Sequence, residues 1–138
     1  MALTADKTFV NLPIKDLNKT IEFFNAIGFA FNPQFTDQNA GCMIINDSTF
    51  VMLLTEPFFS TFIKKEVSDA TKSTEVIMAM SADSREKVDE IVNKALAAGG
   101  KASNEPVDHG FMYTWSFEDL DGHLWEFIYM DESAVNQG

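Results

Sequence analysis

The chain has 138 residues, 46% of them hydrophobic, which is enough to bury a core without staples, and its one cysteine, Cys42, excludes an internal disulfide. The net charge of −11 disfavours nucleic acid and anionic membrane surfaces as partners. The sequence shows no signal-like segment and no apolar run near the ~20 residues of a membrane helix, so we expect a cytoplasmic protein.

The first half of the chain is predicted as one strand, one helix and three further strands. Alternating residues in KTFVNLPIKD predict a strand, and Asp16 is the expected N-cap of an amphipathic helix that ends at Gly28. Strands are then expected in FAFNPQFT, AGCMIIND and STFVMLLTE, separated by asparagine-containing turns. Residues 7–56 therefore form a first βαβββ module.

The second half repeats this order. A strand is predicted in STEVIMAMSAD, Ser84 opens a helix that ends at Gly99, and strands follow in KASNEPVDHG, FMYTWSFED and HLWEFIYMD. Residues 74–131 thus form a second module. The connecting segment 57–73 is rich in phenylalanine, and we interpret it as a short helix that either covers the sheet or closes over a pocket.

The chain resembles the vicinal oxygen chelate (VOC) superfamily, which holds glyoxalase I, bleomycin-resistance proteins, fosfomycin-resistance enzymes and extradiol dioxygenases. The resemblance lies in the duplicated order of elements and in the stretches NLPIKDLNKTIEFFNAIGF and FEDLDGHLWEF. Within the superfamily, the chain is most similar to small bacterial predicted lactoylglutathione lyases. The resemblance covers nearly the whole chain and implies a single α+β domain, residues 1–138, in which two modules form a curved, cup-like mixed sheet with helices outside. It also implies a small-molecule ligand or a divalent metal in the cup, and a homodimer.

Metal-binding members of the family place one ligand on each of four strands. Carried over by the resemblance, these positions fall on Phe9, Leu53, Ile77 and Glu126. Only Glu126 can hold a metal, because the other three side chains are apolar, so no metal or other cofactor is expected. A shift of two residues along the strands would bring Asn11 and Glu75 to these positions, as an oxygen-only site for a hard cation.

Glu126 and His109 are the candidate catalytic residues. Glu126 interrupts an aromatic strand and shares a face with Leu124 and Ile128, where it either lines a pocket or is paired within the sheet. A partly desolvated carboxylate is suited to removing a proton next to a carbonyl. His109, in the loop before Gly110, is either a proton donor at the rim of the cup or an exposed loop histidine.

Further residues are assigned to the pocket by strand position. Tyr113 and Trp115 share a face that either stacks a planar ligand or packs the core. Asn11 is a polar amide on a strand expected to line the cup, so it is predicted as a pocket residue. The predicted pocket set is Phe9, Asn11, Leu53, Glu75, Ile77, Tyr113 and Trp115. By contrast, His123 is expected to close a hairpin and Cys42 to be an inert buried thiol.

Two functions from different classes remain open at this point. The first is a glyoxalase-like lyase or isomerase that acts on a carbonyl or thiol-adduct substrate, with Glu126 as base and His109 as proton donor. The second is a non-catalytic protein that binds or sequesters small molecules, of the bleomycin-resistance type. The apolar residues at three ligand positions and the charge of −11 favour the second, whereas the first is the function that the resemblance most directly implies.

Overall fold

Each half of the chain builds its own mixed sheet, with a longer helix packed on one face. The computed structural model describes residues 1–133 and divides the chain into two compact units, the first Met1–Ser68 and the second beginning at Asp69. The division falls inside the segment 57–73 that connects the two predicted modules. The α+β class and the repeated strand and helix order are confirmed.

The first unit holds four strands, two helices and one 3-10 turn. Its strands are β1 (Thr8–Ile14), β2 (Ala30–Phe31), β3 (Ala40–Ile44) and β4 (Thr49–Thr55), and its helices are α1 (Leu17–Ile27) and α2 (Glu56–Ser60). The sheet order is β1-β4-β3-β2, in which β1 and β4 are parallel and the other neighbours antiparallel.

The predicted strand in FAFNPQFT is wrong for most of its length. Only Ala30–Phe31 is a strand, and Pro33–Phe35 forms a 3-10 turn. The proline cannot donate to a strand ladder, and the side chain of Asn32 accepts a hydrogen bond of 3.0 Å from the backbone N–H of Gln34, which stabilises the turn. This turn becomes one wall of the cavity described below.

Helix α1 begins and ends at the residues that the sequence indicates. Asp16 accepts a hydrogen bond of 3.1 Å from the backbone N–H of Lys19, and Gly28 has the positive φ of 127° that a helix-terminating glycine allows. The buried face of the helix is Leu17, Thr20, Phe23, Phe24 and Ile27. A Cβ atom on Gly41 of β3 would lie 3.2 Å from the Leu17 side chain, so the face of the sheet that carries Gly41 is the one against α1.

The second unit repeats the topology, except that the segment KASNEPVDHG, predicted as one strand, forms two strands of two residues each. Its elements are β5 (Ile77–Ser81), α3 (Arg85–Ala97), β6 (Lys101–Ala102), β7 (Val107–Asp108), β8 (Met112–Glu118) and β9 (Leu124–Met130). The sheet order is β5-β9-β8-β6, with β7 also paired to β8, and β5 and β9 are parallel as β1 and β4 are. No helix within residues 1–133 is both long and apolar enough to cross a membrane.

Candidate functional site

A cavity of about 400 Å³ lies in the first unit, against the sheet face that is turned away from α1. Four strand residues line it, Asn11 of β1, Ala40 of β3, and Met52 and Leu54 of β4. Their placement follows from the register, because Asn11 pairs with Met52 and Ala40 pairs with Leu54. The remaining lining residues are Gln34, Phe35, Thr36, Asp37, Phe58 and Phe62.

Leu53, which the resemblance places among the pocket residues, lies on the opposite face. It pairs with Leu12 on β1 and with Gly41 on β3, and Gly41 faces α1. Its side chain has 0% of its surface exposed. Since neighbouring residues of a strand point to opposite faces, an error of one residue in register exchanges the core side for the cavity side. Met52 and Leu54 take the place predicted for Leu53.

The wall formed by residues 32–37 is held to β3 by polar side chains. Thr36 Oγ1 accepts a hydrogen bond of 3.0 Å from the backbone N–H of Cys42. Asp37 Oδ1 accepts hydrogen bonds from the backbone N–H groups of Asn39 (2.8 Å) and Ala40 (3.0 Å). These bonds fix the loop on the rim of the cavity.

The Cys42 thiol is buried, and burial raises its pKa, which disfavours the nucleophilic thiolate.

A short aromatic arm forms the other wall. Phe58 of α2 and Phe62, two residues beyond its end, pack edge to face with ring centroids 5.1 Å apart. The hydroxyl of Thr61 donates a hydrogen bond of 2.7 Å to the carbonyl oxygen of Phe58 and tightens the turn between them. The predicted short helix therefore forms, beginning at Glu56, one residue before the segment 57–73, and Phe58 and Phe62 line a cavity.

Phe9 lies on the same sheet face as Asn11, two residues away, but is not among the residues that line the cavity. Its ring stacks on that of Phe50 at 5.3 Å, and the Lys7 ammonium lies 5.4 Å from the centre of the Phe50 ring. Phe9 is 53% exposed. The structure therefore brings Phe9 and Asn11 to one face, with only Asn11 in the cavity.

In the second unit, Glu126 lies on the sheet face that is turned away from α3. It is opposite Ser116 on β8 and Ala79 on β5, and it shares its face with Leu124 and Ile128 as the sequence predicts. Ile77 pairs with Leu124 and so lies on the same face. The Glu126 side chain is half-buried, and within residues 1–133 no salt bridge reaches it.

Tyr113 and Trp115 lie on the opposite face of this sheet, which corrects their assignment to a pocket with Glu126. The Tyr113 hydroxyl donates a hydrogen bond of 2.6 Å to Asp89 on α3. This bond, with burial, raises the pKa of Tyr113 to about 12. The Trp115 indole donates a hydrogen bond of 2.9 Å to the carbonyl of Asn104. Both rings therefore pack on the helix side.

His109 and Glu75 are both exposed, and neither is brought to Glu126. His109 occupies the hairpin turn between β7 and β8, where its backbone N–H donates to the Met112 carbonyl at 2.8 Å. Two strand spacings and four residues of β8 separate it from Glu126, roughly 15 Å between Cα atoms. Glu75 lies before β5 begins.

The donor set does not fit the divalent metal that the resemblance implies. On the faces turned away from the helices, the first unit presents Phe9, Asn11 and Met52 on β1 and β4, and the second presents Ile77 and Glu126 on β5 and β9. Neither set is a good site for such an ion, because the first offers one amide and the second one carboxylate, and the other side chains are apolar. Across residues 1–133, no three His, Cys, Asp or Glu side chains are placed to share a metal.

Comparison with known proteins agrees with this geometry at the level of the family. The model of the Glyoxalase/Bleomycin resistance protein/Dioxygenase superfamily matches residues 8–127. The chain therefore belongs to this superfamily. A search of the curated proteins found no match.

Three solved structures illustrate the likeness. A hypothetical protein from S. aureus is 32% identical, with 93% of this chain and 95% of that chain covered and a TM-score of 0.77. A glyoxalase/bleomycin resistance protein/dioxygenase family enzyme from Burkholderia phytofirmans PsJN is 16% identical (91% and 99% covered, TM-score 0.75). The fosfomycin resistance protein FosX from Listeria monocytogenes is 21% identical (94% and 92% covered, TM-score 0.63). The last two likenesses extend to the fold alone.

Sequence reasoning missed most of the cavity. Gln34 to Thr36 lie in a segment predicted as a strand, and the cavity positions of Met52 and Leu54 depend on the strand register. Phe58 and Phe62 did carry a signal, because four apolar residues in a short connecting segment need a surface to pack on.

Proposed function

We propose that the protein binds a small molecule in the cavity of the first unit and does not transform it, as a binding or sequestering member of its superfamily. The observation that carries this proposal is the make-up of the cavity wall, in which three phenylalanine rings, Phe35, Phe58 and Phe62, are combined with the amides of Asn11 and Gln34. A volume of about 400 Å³ is within the range of ligand pockets, and apolar walls with a few polar groups are typical of them.

The same wall is poor in groups that could do chemistry. Asp37 is its one ionisable side chain, and Asp37 Oδ1 already accepts two backbone hydrogen bonds. Thr36 Oγ1 accepts the N–H of Cys42, and the lining residues include no histidine, lysine, arginine or cysteine. General acid–base catalysis needs a positioned group that titrates near the working pH. The cavity is therefore better suited to binding than to proton transfer.

The test is a fragment screen by thermal shift, followed by NMR of the methionine ε-methyl groups. A ligand raises the melting temperature by mass action, and one that occupies the cavity shifts the Met52 methyl signal. Asn11→Ala is expected to weaken binding, whereas Asn93→Ala, on the exposed side of α3, is the control and should leave it unchanged. The proposal is refuted if the fragments that bind leave the Met52 methyl signal unshifted and bind Asn11→Ala as tightly as the wild-type protein, because the ligand site then lies elsewhere.

A second candidate function is a lyase or isomerase acting on a carbonyl or thiol-adduct substrate. The observation that favours it is the half-buried Glu126, a carboxylate without an ion pair in residues 1–133, between Leu124 and Ile128. As a base, Glu126 would remove a proton from the hydroxyl-bearing carbon next to the carbonyl and return it to the carbonyl carbon, while the hydroxyl proton passes to the former carbonyl oxygen.

The measurement for this candidate is turnover of a panel of α-ketoaldehyde–thiol adducts. Catalysis by Glu126 predicts turnover that Glu126→Gln abolishes and that the control Glu118→Gln, on the adjacent strand β8, retains. No turnover by the wild-type protein would remove the lyase and leave the binding function standing.

A further inference from the structure

We infer that the ligand of this cavity is a flat aromatic compound that is not an anion and that carries a carboxamide or a similar hydrogen-bonding group. The inference rests on the proposed binding function and names the chemical class of its ligand. It is carried by two exposed aromatic rings on the cavity wall, by the side-chain amide of Asn11, which has no hydrogen-bond partner within residues 1–133, and by the charges around the cavity.

The first observation is the exposure of two cavity rings. The chain has 13 phenylalanines, and within residues 1–133 four of their side chains are exposed, namely Phe9, Phe35, Phe62 and Phe111. Two of these four line the cavity, Phe35 with 59% and Phe62 with 67% of its surface exposed. A flat ring bound in the cavity would cover this apolar surface and gain the offset or edge-to-face contact that aromatic pairs prefer.

The second observation is that the Phe62 ring packs on a neighbouring ring and that the backbone of Phe35 is fixed. Phe62 packs edge to face on Phe58, and α2 continues directly from β4. The backbone N–H of Phe35 donates a hydrogen bond of 3.2 Å to the carbonyl of Asn32, within the capped 3-10 turn. Less ordering entropy is then lost when a ligand binds than at a mobile loop, because the backbone that carries the aromatic surface is already positioned. An aromatic ring therefore gains more here than a flexible aliphatic chain of the same area.

The third observation concerns Asn11. Its side chain is exposed to the cavity, and among the described residues it has no hydrogen-bond partner. A side-chain amide offers donors and an acceptor together, which are complementary to those of a carboxamide. Ligand amides can therefore form two hydrogen bonds with Asn11 where an ether or a halide forms one or none.

The last observation is the charge of the wall. Its lining residues include no lysine or arginine, and the only charged one is Asp37, in a chain of net charge −11. A ligand carboxylate would be repelled and would find no cation with which to pair. The cavity should therefore reject the anionic analogue of any amide that it binds.

Three probes test these features separately by titration calorimetry and methyl NMR. 2-Naphthamide has the ring and the amide, cyclohexanecarboxamide lacks the aromatic ring, and 2-naphthoate replaces the amide with a carboxylate. We expect 2-naphthamide to shift the Met52 methyl signal and to bind at least about tenfold more tightly than either analogue. Phe35→Leu and Phe62→Leu should each weaken it by about 3- to 10-fold, the usual value of an aromatic contact beyond its area.

Phe111→Leu is the matched control, because Phe111 is also an exposed phenylalanine but lies in the β7–β8 turn of the second unit. Circular dichroism of all three variants confirms that they fold. Equal affinity for the three probes, no binding of 2-naphthamide, or an unchanged affinity in both cavity variants would overturn the inference. The proposed function fails separately, if no fragment of the screen shifts the Met52 signal.

Discussion

The indole Nε1 of Trp125 donates a hydrogen bond of 2.9 Å to Oδ2 of Asp119, and the two residues are 0% and 3% exposed. The other carboxylate oxygen, Oδ1, accepts the backbone N–H groups of Asp121 (2.9 Å) and His123 (3.0 Å). One buried carboxylate thus satisfies three donors and closes the turn between β8 and β9. Because Glu126 follows Trp125 directly, this turn also sets the position of the candidate base.

Asp119→Asn is expected to lower the free energy of unfolding by about 1–3 kcal/mol, because the amide nitrogen of asparagine cannot accept a hydrogen bond and leaves a buried donor unpaired. Urea denaturation followed by tryptophan fluorescence measures the change. The control is Asp83→Asn, an exposed aspartate before α3, for which a change within about 0.5 kcal/mol is expected. Equal stability of the two variants would contradict the assigned role of Asp119.

The same variant has a predicted pH dependence. Burial raises the pKa of Asp119 above its ordinary value of 3.8, although the nearby His123 charge and the donated hydrogen bonds act in the opposite direction. The folded protein then binds the proton of the Asp119 carboxyl group more tightly than the unfolded chain does. The stabilisation that comes from this tighter proton binding is full below pH 3.8 and is lost as the pH rises through the raised pKa of the folded protein. The stability difference between wild type and Asp119→Asn should therefore narrow from about pH 4 upward.

Gly122→Ala is expected to destabilise the second unit more than Gly110→Ala. Both glycines have positive φ, 91° and 87°, at which alanine costs about 1–2 kcal/mol. A Cβ atom at Gly122 would also lie 2.9 Å from backbone atoms of Ala70 and Thr71, whereas at Gly110 nothing lies within 4 Å. The difference between the urea midpoints of the two variants measures the cost of the contact between the new Cβ atom and the backbone of residues 70–71. Equal losses would mean that residues 70–71 move away without cost.

Tyr113→Phe is expected to lower the free energy of unfolding by about 1 kcal/mol, since it removes the hydrogen bond to Asp89. That bond raises the pKa of Tyr113 to about 12, so the stabilisation is present below pH 10 and is lost as the pH rises toward 12. Absorbance at 295 nm against pH should show a tyrosine step near 12 that the variant lacks. A step at the same pH in the variant would assign it to Tyr129, the only other tyrosine.

The helices could be predicted because their signals are local. Asp16 and Ser84 each accept a backbone hydrogen bond from the residue three positions later, and the sequence alone indicates both caps. The last strand was also predictable. Trp125 and Phe127 alternate with Glu126, and this alternation indicates that the two aromatic residues lie on one face of the sheet and Glu126 on the other.

The faces of β4 and β8 could not be predicted for a different reason. Strand β4 reads TFVMLLT and is apolar on both faces, so no alternation shows which side packs on a helix. On β8, Tyr113 and Trp115 carry both an apolar ring and a polar tip, and such residues suit either a pocket or a helix contact. Register is set by pairing with distant strands, and an error of one residue inverts the whole face.

The assignment of the two faces of β4 can be tested with neighbouring residues. Leu53→Ala should lower the free energy of unfolding by about 2–5 kcal/mol, because it empties a fully buried position against Leu12 and Gly41. Met52→Ala should cost less, since its side chain is only half-buried and lines the cavity, but it should change the affinity for 2-naphthamide. Urea denaturation and calorimetry give the two quantities. If Leu53→Ala altered ligand affinity while Met52→Ala caused the greater loss of stability, the faces of β4 would be reversed, and Leu53 would belong to the pocket as the resemblance implies.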